Sequence, residues 1–349
     1  MMLNVAMVGL GDWGPNIARN LAVLPDVQLH TLCDLSETQL ARLERVFPAA
    51  RRESDVRKVL VDPDVDAIVV ATPVHTHFEM AAEALRAGKH VLVEKPLART
   101  SAECRELIEL ARARRLILMA GHVFVYNPAV RRVKEFIESG ELGDIYYVYS
   151  QRLNLGRVRQ DVNALWNFAP HDVSILAFWL GAMPERVTAR GYSYIQPGIE
   201  DVVFMTLDFP GGVGANVHIS WLDPRKVRCM TVVGSKKMLV YDDVSADARI
   251  VVYDKGVSRR AGTSSQAPGA SLGRYGTFGE FQLLLRAGDV FIPKLDFVEP
   301  LKLECERFVE AIRTGKPVET DGENGRRVVC VLEAAERALR SGGVEAVTP

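Results

Sequence analysis

Lys95 stands at the end of a short apolar run, Val91-Leu92-Val93, between Glu94 and Pro96. A lysine where a buried parallel strand gives way to its loop lies outside the carboxyl ends of the strands, where open α/β sheets bind ligands. Partial burial there lowers its pKa towards the range a proton-transfer group needs at neutral pH. His171 is the second candidate. Pro170 and the apolar run Val173 to Leu180 predict a helix that starts just before it, putting the imidazole in a first turn. The positive end of the helix dipole then favours the neutral ring, which can accept a proton. A capping or packing histidine is the other reading of that position.

A third group of residues has the spacing of a phosphate cradle. Gly9, Gly11 and Gly14, with Leu10, Asp12 and Trp13 between them, fit G-x-G-x-x-G at a strand-to-helix junction. The glycines serve a tight turn, backbone approach to a pyrophosphate, and close packing of helix on strand, with the phosphate at the helix N-terminus. Asp34 ends the next strand, where an acidic side chain accepts from the ribose hydroxyls of an adenosine. A structural glycine turn with a surface aspartate is the plainer alternative. A carboxylate repels a 2′-phosphate, and Leu35-Ser36-Glu37 offers no arginine to offset it, so NAD is expected rather than NADP.

The elements that must hold these residues alternate over the first third of the chain. Strands are expected at Leu3 to Val8, Val27 to Cys33, Ala67 to Ala71, His90 to Val93 and Leu116 to Ala120. Helices are expected after Pro15, from Ser36 to about Val46, from about Thr76 to Ala87 before Gly88, and from Thr100 to about Arg114. This is the pattern of a doubly wound parallel sheet. After Gly121 one helix, Asn127 to Ser139, precedes strands at 145–152, 187–192, 202–209, 213–220, 226–233 and 238–242. Strands without intervening helices imply a large, mostly antiparallel open sheet, with one face left for a partner. Residues 256–279, rich in Gly, Ser and Arg, are expected to form a mobile loop, and helices return at 301–314 and from about 324 to 339. The expected division is 1–121 and 122–349.

Composition narrows the function classes. With 349 residues the chain is long enough for two domains, and 43 basic residues against 44 acidic ones recommend no nucleic acid as partner. Five widely spaced cysteines lack any Cys-x-x-Cys pair, which suits a reducing compartment and argues against a disulfide frame or thiolate zinc site. The amino end has no basic n-region, and no stretch approaches the roughly 20 apolar residues of a membrane helix. A soluble, cytoplasmic protein is therefore expected.

Other polar residues carry two readings each. His75 and His77 have metal-ligand spacing but no third ligand, so no metal is expected. His122 and Tyr126 either line the cleft or pack at the domain junction. Arg152, Asn154, Arg157, Arg159, Asp161 and Asn163 form either a solvated loop or a recognition surface for a large anionic substrate, since arginine pairs bidentately with phosphate. Trp13 and Trp166 are pocket walls or ordinary packed or surface aromatics.

Taken together, the Gly9 to Gly14 loop, Ala71-Thr72-Pro73, His77, Ala87-Gly88-Lys89-His90-Val91 with Glu94-Lys95-Pro96, Asn127-Pro128, Gly140-Glu141-Leu142-Gly143 and Asn167-x-x-x-His171 resemble the glucose-fructose oxidoreductase, inositol dehydrogenase and rhizopine catabolism family over nearly the whole chain. The resemblance implies an N-terminal Rossmann domain that binds NAD(P), then an α/β domain whose open sheet commonly mediates oligomerisation, as a dimer or tetramer. It implies polyol, sugar or nucleotide-sugar substrates, with Lys95 and His171 flanking the reacting hydroxyl beside the nicotinamide. The expected cofactor contacts are Gly9, Gly11, Asp12, Trp13, Gly14, Asp34, Thr72, Pro73, His77, Glu94, Lys95 and His122. The expected substrate contacts are Tyr126, Arg152, Asn154, Arg159, Asn163, Asn167 and His171. Trp13-Gly14-Pro15-Asn16, Arg152-Leu153-Asn154 and Ala169-Pro170-His171-Asp172 look most like members that act on nucleotide sugars in bacterial polysaccharide and lipid A pathways. Asn167 departs from the family, where an aspartate usually stands four residues before the histidine, and an amide cannot titrate. Two further expectations follow: a dehydrogenase of free polyols such as inositol, or an NAD-binding regulator that has lost turnover.

Overall fold

Apolar runs bounded by glycine and proline become strands buried on both faces, and the first half of the chain is built from them. The computed structural model describes residues 2–156, 158–259 and 283–348. In chain order the first half contains β1 (Leu3–Val8), α1 (Gly14–Ala22), β2 (Val27–Cys33), α2 (Glu37–Glu44), β3 (Arg51–Glu53), α3 (Val56–Val61), β4 (Ala67–Val70), α4 (Val74–Arg86), β5 (His90–Glu94), α5 (Ser101–Arg114) and β6 (Leu118–Gly121). The six strands are all parallel, in the order β3-β2-β1-β4-β5-β6. Strand order reverses between β1 and β4, so the loops after β1, β4 and β5 open side by side on one edge of the sheet.

Local capping sets the helices. The Ser36 hydroxyl accepts from the Gln39 amide at the start of α2, and Thr100 accepts from Glu103 at the start of α5. The expected capping box at α5 is half made, because the Glu103 carboxylate turns to the Arg99 amide instead. β3 and α3 were not expected. Arg51-Arg52-Glu53 has no apolar residue to reveal an edge strand, and α3 is a six-residue helix capped by Asp55.

The second half contains α6 (Pro128–Glu138), β7 (Ile145–Leu153), α7 (Ala164–Leu180), β8 (Arg186–Tyr192), β9 (Val202–Asp208), β10 (Gly214–Ser220), β11 (Val227–Gly234), β12 (Met238–Asp242), β13 (Ile250–Arg259), β14 (Leu283–Phe291), α8 (Pro300–Thr314), α9 (Gly322–Ser341) and β15 (Val344–Ala346). Its sheet runs β14-β13-β12-β11-β7-β10-β9-β8-β15, antiparallel except where β7 meets β10. In β9 Val203, Met205 and Leu207 are buried while Phe204 and Thr206 face outwards, the period-two pattern of a sheet covered on one side. The covering layer includes α7 and α9.

Two expectations need correction. The loop expected from residue 256 begins as strand, since β13 continues to Arg259, and 260–279 lie outside the described residues. The helix expected to start just before His171 starts at Ala164, so Pro170 lies inside it. Asn163 is the true start signal: its side-chain oxygen accepts from the Trp166 amide at 3.1 Å. Pro170 has no amide hydrogen, which leaves the Trp166 carbonyl without its helical donor, and the apolar packing of α7 outweighs that loss.

The last two helices return to the first sheet. Leu301, Cys305 and Phe308 of α8 pack into one core with Met7, Ile17, Leu92 and Met119, and α9 lies against α5 and β6. The Ala120 amide donates to Thr320 at 2.8 Å, which ties the approach to α9 onto the edge of β6. In the middle of the sheet the glycine loop after β1 is shaped by close approach. A Cβ on Gly14 would lie 2.0 Å from the Gly9 carbonyl oxygen. Gly14→Ala should therefore push α1 off β1 and cost about 2 kcal/mol or more in urea unfolding. Unchanged stability and unchanged dinucleotide affinity would contradict this account of the loop.

Candidate active site

Lys95 follows the last residue of β5, on the edge where the loops after β1 and β4 also emerge. Its ammonium crosses to the second half of the molecule and donates to the backbone carbonyl of Asn167 in α7, at 3.0 Å. The link is thus made by the Asn167 main chain, not by its amide side chain. Burial pulls the Lys95 ammonium down to about 8, with Arg159, Arg152 and Arg228 adding to the effect and Glu94 opposing it.

His171 sits one helical turn beyond Asn167, on the same stripe of α7. Because α7 starts at Ala164, the dipole argument for this ring does not apply. Burial, followed by the charges of Lys95, Arg152 and Arg228, holds it well below the usual imidazole range. It is neutral for a different reason from the one the sequence implied. Its Nδ1 makes no hydrogen bond to a described residue, and the ring meets Phe124 edge-on at 4.9 Å. His122 is fully buried, with neither ring nitrogen bonded within the described residues. Burial and then the Lys95 charge lower it to about 3.

The glycine loop and Asp34 form one unit. The Asp34 carboxylate accepts from the Leu10 amide at 2.6 Å and from the Ser36 amide at 2.8 Å, fixing the turn after β1 to the end of β2. Gly9 has φ +93°, and a Cβ there would lie 2.6 Å from the Ala71 carbonyl oxygen. A Cβ on Gly11 would meet nothing within 4 Å, so the loop presents bare backbone to open space. The Trp13 side chain makes no capping hydrogen bond to α1, so it leaves the first-turn amides of α1 to a ligand. These features fit a dinucleotide, with Gly9 to Gly14 for the pyrophosphate and Asp34 for the adenosine ribose. Asp12 lies close enough to act on the Arg159 charge.

Thr72 and Pro73 close β4, and His77 ties their loop to the next. Its Nδ1 lies 2.8 Å from the Pro96 carbonyl and its Nε2 2.9 Å from the Thr72 carbonyl. His77 is buried with a carbonyl oxygen beside each ring nitrogen, one of which takes the N–H of the neutral ring, while His75 is exposed; among the described residues no cluster of three His, Cys, Asp or Glu could hold a metal. Glu94 is partly buried beneath Lys95 and accepts from the Lys95 amide at 3.2 Å. Burial pushes its carboxyl up, while Lys95 and the Trp13 indole pull it back.

The expected substrate residues divide. Tyr126 is fully buried, with its hydroxyl 2.9 Å from the Thr320 hydroxyl, so it is packed at the junction and does not line the cleft. Asn163 serves as the α7 cap and donates to Glu200 at 2.7 Å. Arg152 is also buried: its Nε donates to Asp172 at 2.7 Å, and Asp172 accepts from Ser150 at 2.7 Å. Asp172 therefore orders the arginine, and Arg152 acts on the site through its charge. Arg159 is paired with Asp161 at 2.8 Å but remains over a third exposed, and Asn154 extends the β7 ladder through Ser220. Trp166 packs between the two halves of the core.

Two residues escaped the sequence reading. Arg228 in β11 stands directly opposite Arg152 across the ladder, an arrangement of like charges that Asp172 and Asp243 relieve. Phe124 lies beneath both guanidinium groups, at 4.8 Å and 5.9 Å, and carries His171 on its edge. Its place between His122 and Tyr126 was the only signal available.

Residues 3–122 match the family model described as an oxidoreductase family with an NAD-binding Rossmann fold, and residues 130–240 match the GFO/IDH/MocA C-terminal domain. The chain is 30% identical to inositol 2-dehydrogenase 2 of Saccharopolyspora erythraea, over 63% of this chain and 67% of that protein. It is 29% identical to UDP-N-acetylglucosamine 3-dehydrogenase of Acidithiobacillus ferrooxidans, over 94% of each; the solved structure of that enzyme superposes with a TM-score of 0.78, covering 98% of each chain at 25% identity. GenD2 from gentamicin A biosynthesis, solved in complex with NAD, superposes with a TM-score of 0.81 at 25% identity, covering 99% of this chain and 97% of that one. No helix among the described residues is long and apolar enough to cross a membrane. With its glycine loop, its Lys95 to α7 link and both of its sheets accounted for, the chain belongs to the GFO/IDH/MocA family of NAD-binding oxidoreductases.

Proposed function

We propose that this oxidoreductase oxidises a secondary hydroxyl of a sugar, and that the sugar is carried on a nucleotide, as in UDP-N-acetylglucosamine 3-dehydrogenase. The observation that carries the reading is Lys95, held by the Asn167 carbonyl with its proton loosened to about 8. Bound NAD supplies the hydride acceptor. Lys95 in its neutral form takes the hydroxyl proton, since a ring alcohol gives up hydride easily only as its proton is removed. His171, neutral at working pH, donates its ring N–H to the oxygen of the same hydroxyl and orients it. Gly9, Gly11, Asp12, Trp13, Gly14 and Asp34 hold the dinucleotide, and Thr72, Pro73, His77, Glu94 and His122 shape the nicotinamide end. Arg159 and Arg228, both partly exposed, offer positive charge to a diphosphate, and Asn154 and Asn167 offer amide groups to the sugar.

A second reading, a dehydrogenase of free cyclitols, is favoured by one observation. Arg152, Arg159 and Arg228 each already have a carboxylate partner within the protein, so the site does not require an anion. We also propose a homo-oligomer, a dimer or tetramer, built on the uncovered face of the second sheet. Tyr147, Tyr149 and Phe204 are exposed there, and Phe204 stacks on His218 at 4.3 Å.

With NAD⁺ and a panel of UDP-sugars and cyclitols, NADH should form fastest with a UDP-N-acetylhexosamine. NADH formed only with a cyclitol selects the second reading, and tight NAD binding without turnover on the whole panel selects a regulator. Oxidation should rise about tenfold per pH unit below 8 and level off above it, because only the unprotonated Lys95 accepts the proton. Lys95→Ala should retain NAD affinity and lose about 10²–10⁴-fold in kcat, and an active variant would remove Lys95 from the chemistry. Sedimentation should show an assembly that Tyr149→Glu with Phe204→Glu dissociates; a monomeric wild type would refute the sheet-face interface.

A further inference from the structure

Arg152 and Arg228 stand opposite each other where β7 pairs with β11, on the face that carries Val148 and Met230 into the core. Like charges directly opposite on a sheet destabilise it, so the acids around them matter. Asp172 takes Arg152 through both Nε and Nη2. Asp243 accepts from Nη1 of Arg228 at 3.2 Å, while Arg249 lies 3.9 Å from its other oxygen. Arg249 reaches no other carboxylate among the described residues. Three guanidinium groups thus share two acids, and one positive charge is left over.

Arg228 is the member with donors to spare. Its Nε and Nη2 donate to nothing among the described residues, and its side chain is 37% exposed. These two nitrogens form one edge of the guanidinium, the fork that meets a carboxylate bidentately. The fork is also close to the reacting group. Arg228 lies 5.9 Å from the centre of the Phe124 ring, and the His171 ring lies 4.9 Å from that same centre. One sugar ring with its substituents spans such a gap. An anion on Arg228 therefore belongs to the ring whose hydroxyl meets His171, and Arg159, on the segment before α7, is left for the diphosphate.

We propose that the sugar ring oxidised here carries a carboxylate, and that Arg228 receives it through Nε and Nη2 while Arg152 adds its charge. Arg228 is thereby a specificity-determining residue, and this role rests on the dehydrogenase reading above. The carboxylate itself is unchanged by the reaction. Arg152 cannot take Arg228's place, because its own fork is filled by Asp172 and its side chain is buried.

The test compares UDP-N-acetylglucosamine with the same nucleotide sugar whose hydroxymethyl group has been oxidised to a carboxylate. With NAD⁺ the wild type should favour the acid by about tenfold or more in kcat/KM, the range of a charge-assisted hydrogen bond. Arg228→Gln should bring that ratio to about one, and Arg228→Lys, which keeps the charge without the fork, should recover part of it. Equal use of both sugars by the wild type overturns the proposal, and that comparison needs no variant. A preference that survives in folded Arg228→Gln, with both sugars losing equally, assigns Arg228 to the diphosphate and overturns it too. If neither sugar reduces NAD⁺, the nucleotide-sugar dehydrogenase reading falls, and calorimetric titration of the NAD-loaded protein with free glucuronate and glucose decides the carboxylate site. Tighter binding of glucuronate, lost in Arg228→Gln, supports the site; no preference between the two overturns it.

Discussion

A single lysine charge withdrawn from water between two sheets is the constraint around which the rest of this structure is arranged. Lys95 is attached to the end of β5 and bonded to α7, so it belongs covalently to one half of the molecule and electrostatically to the other. Removing an ammonium from water makes its proton easier to lose, and the three arginines beyond it strengthen that tendency. Those arginines would repel one another if each lacked an acid. Asp172, Asp161 and Asp243 supply the acids, and Asp172 does so from within α7 itself. The two histidines near Lys95 add no charge because burial keeps both neutral.

The halves that meet at Lys95 are held in register by short polar links rather than by apolar contact alone. His77 lies between the carbonyls of Thr72 and Pro96, so the loops after β4 and β5 form one rim. Asp34 similarly joins the loop after β1 to the end of β2. Each link uses a buried or half-buried polar side chain to satisfy backbone groups that a strand-to-loop transition would otherwise leave unpaired. The edge of the sheet is therefore stiff where a dinucleotide would lie along it.

What could be read from the chain itself follows the range of the interaction. The glycine loop, the strand at Ala67, the Thr100 cap and the position of Lys95 depend on neighbours within a few residues, and their sequence signals are direct. The start of α7 is less direct: a proline is common at a helix start, yet Asn163 caps this helix and Pro170 is carried inside it by packing. The neutral state of His171 was anticipated for the wrong reason. Tyr126, Arg152 and Asn163 have the residue types of a recognition surface, but partners far along the chain, Thr320, Asp172 and Glu200, engage them in structural bonds. Arg228 and Phe124 enter the site only through the fold, and no local pattern marks them.

The return of α8 and α9 to the first sheet gives the chain an unusual schedule. Leu92, Met119 and Ile17, made early during synthesis, share a core with Leu301, Cys305 and Phe308, which are made much later. A ribosome releasing the first 121 residues thus releases a sheet with one side only part covered, by α1 and α2, and β7 to β14 must emerge before α8 can complete that side. Domains made in chain order usually fold in that order. Here the first to appear is among the last to be finished, and the dinucleotide edge acquires its full backing only when the carboxyl-terminal helices dock.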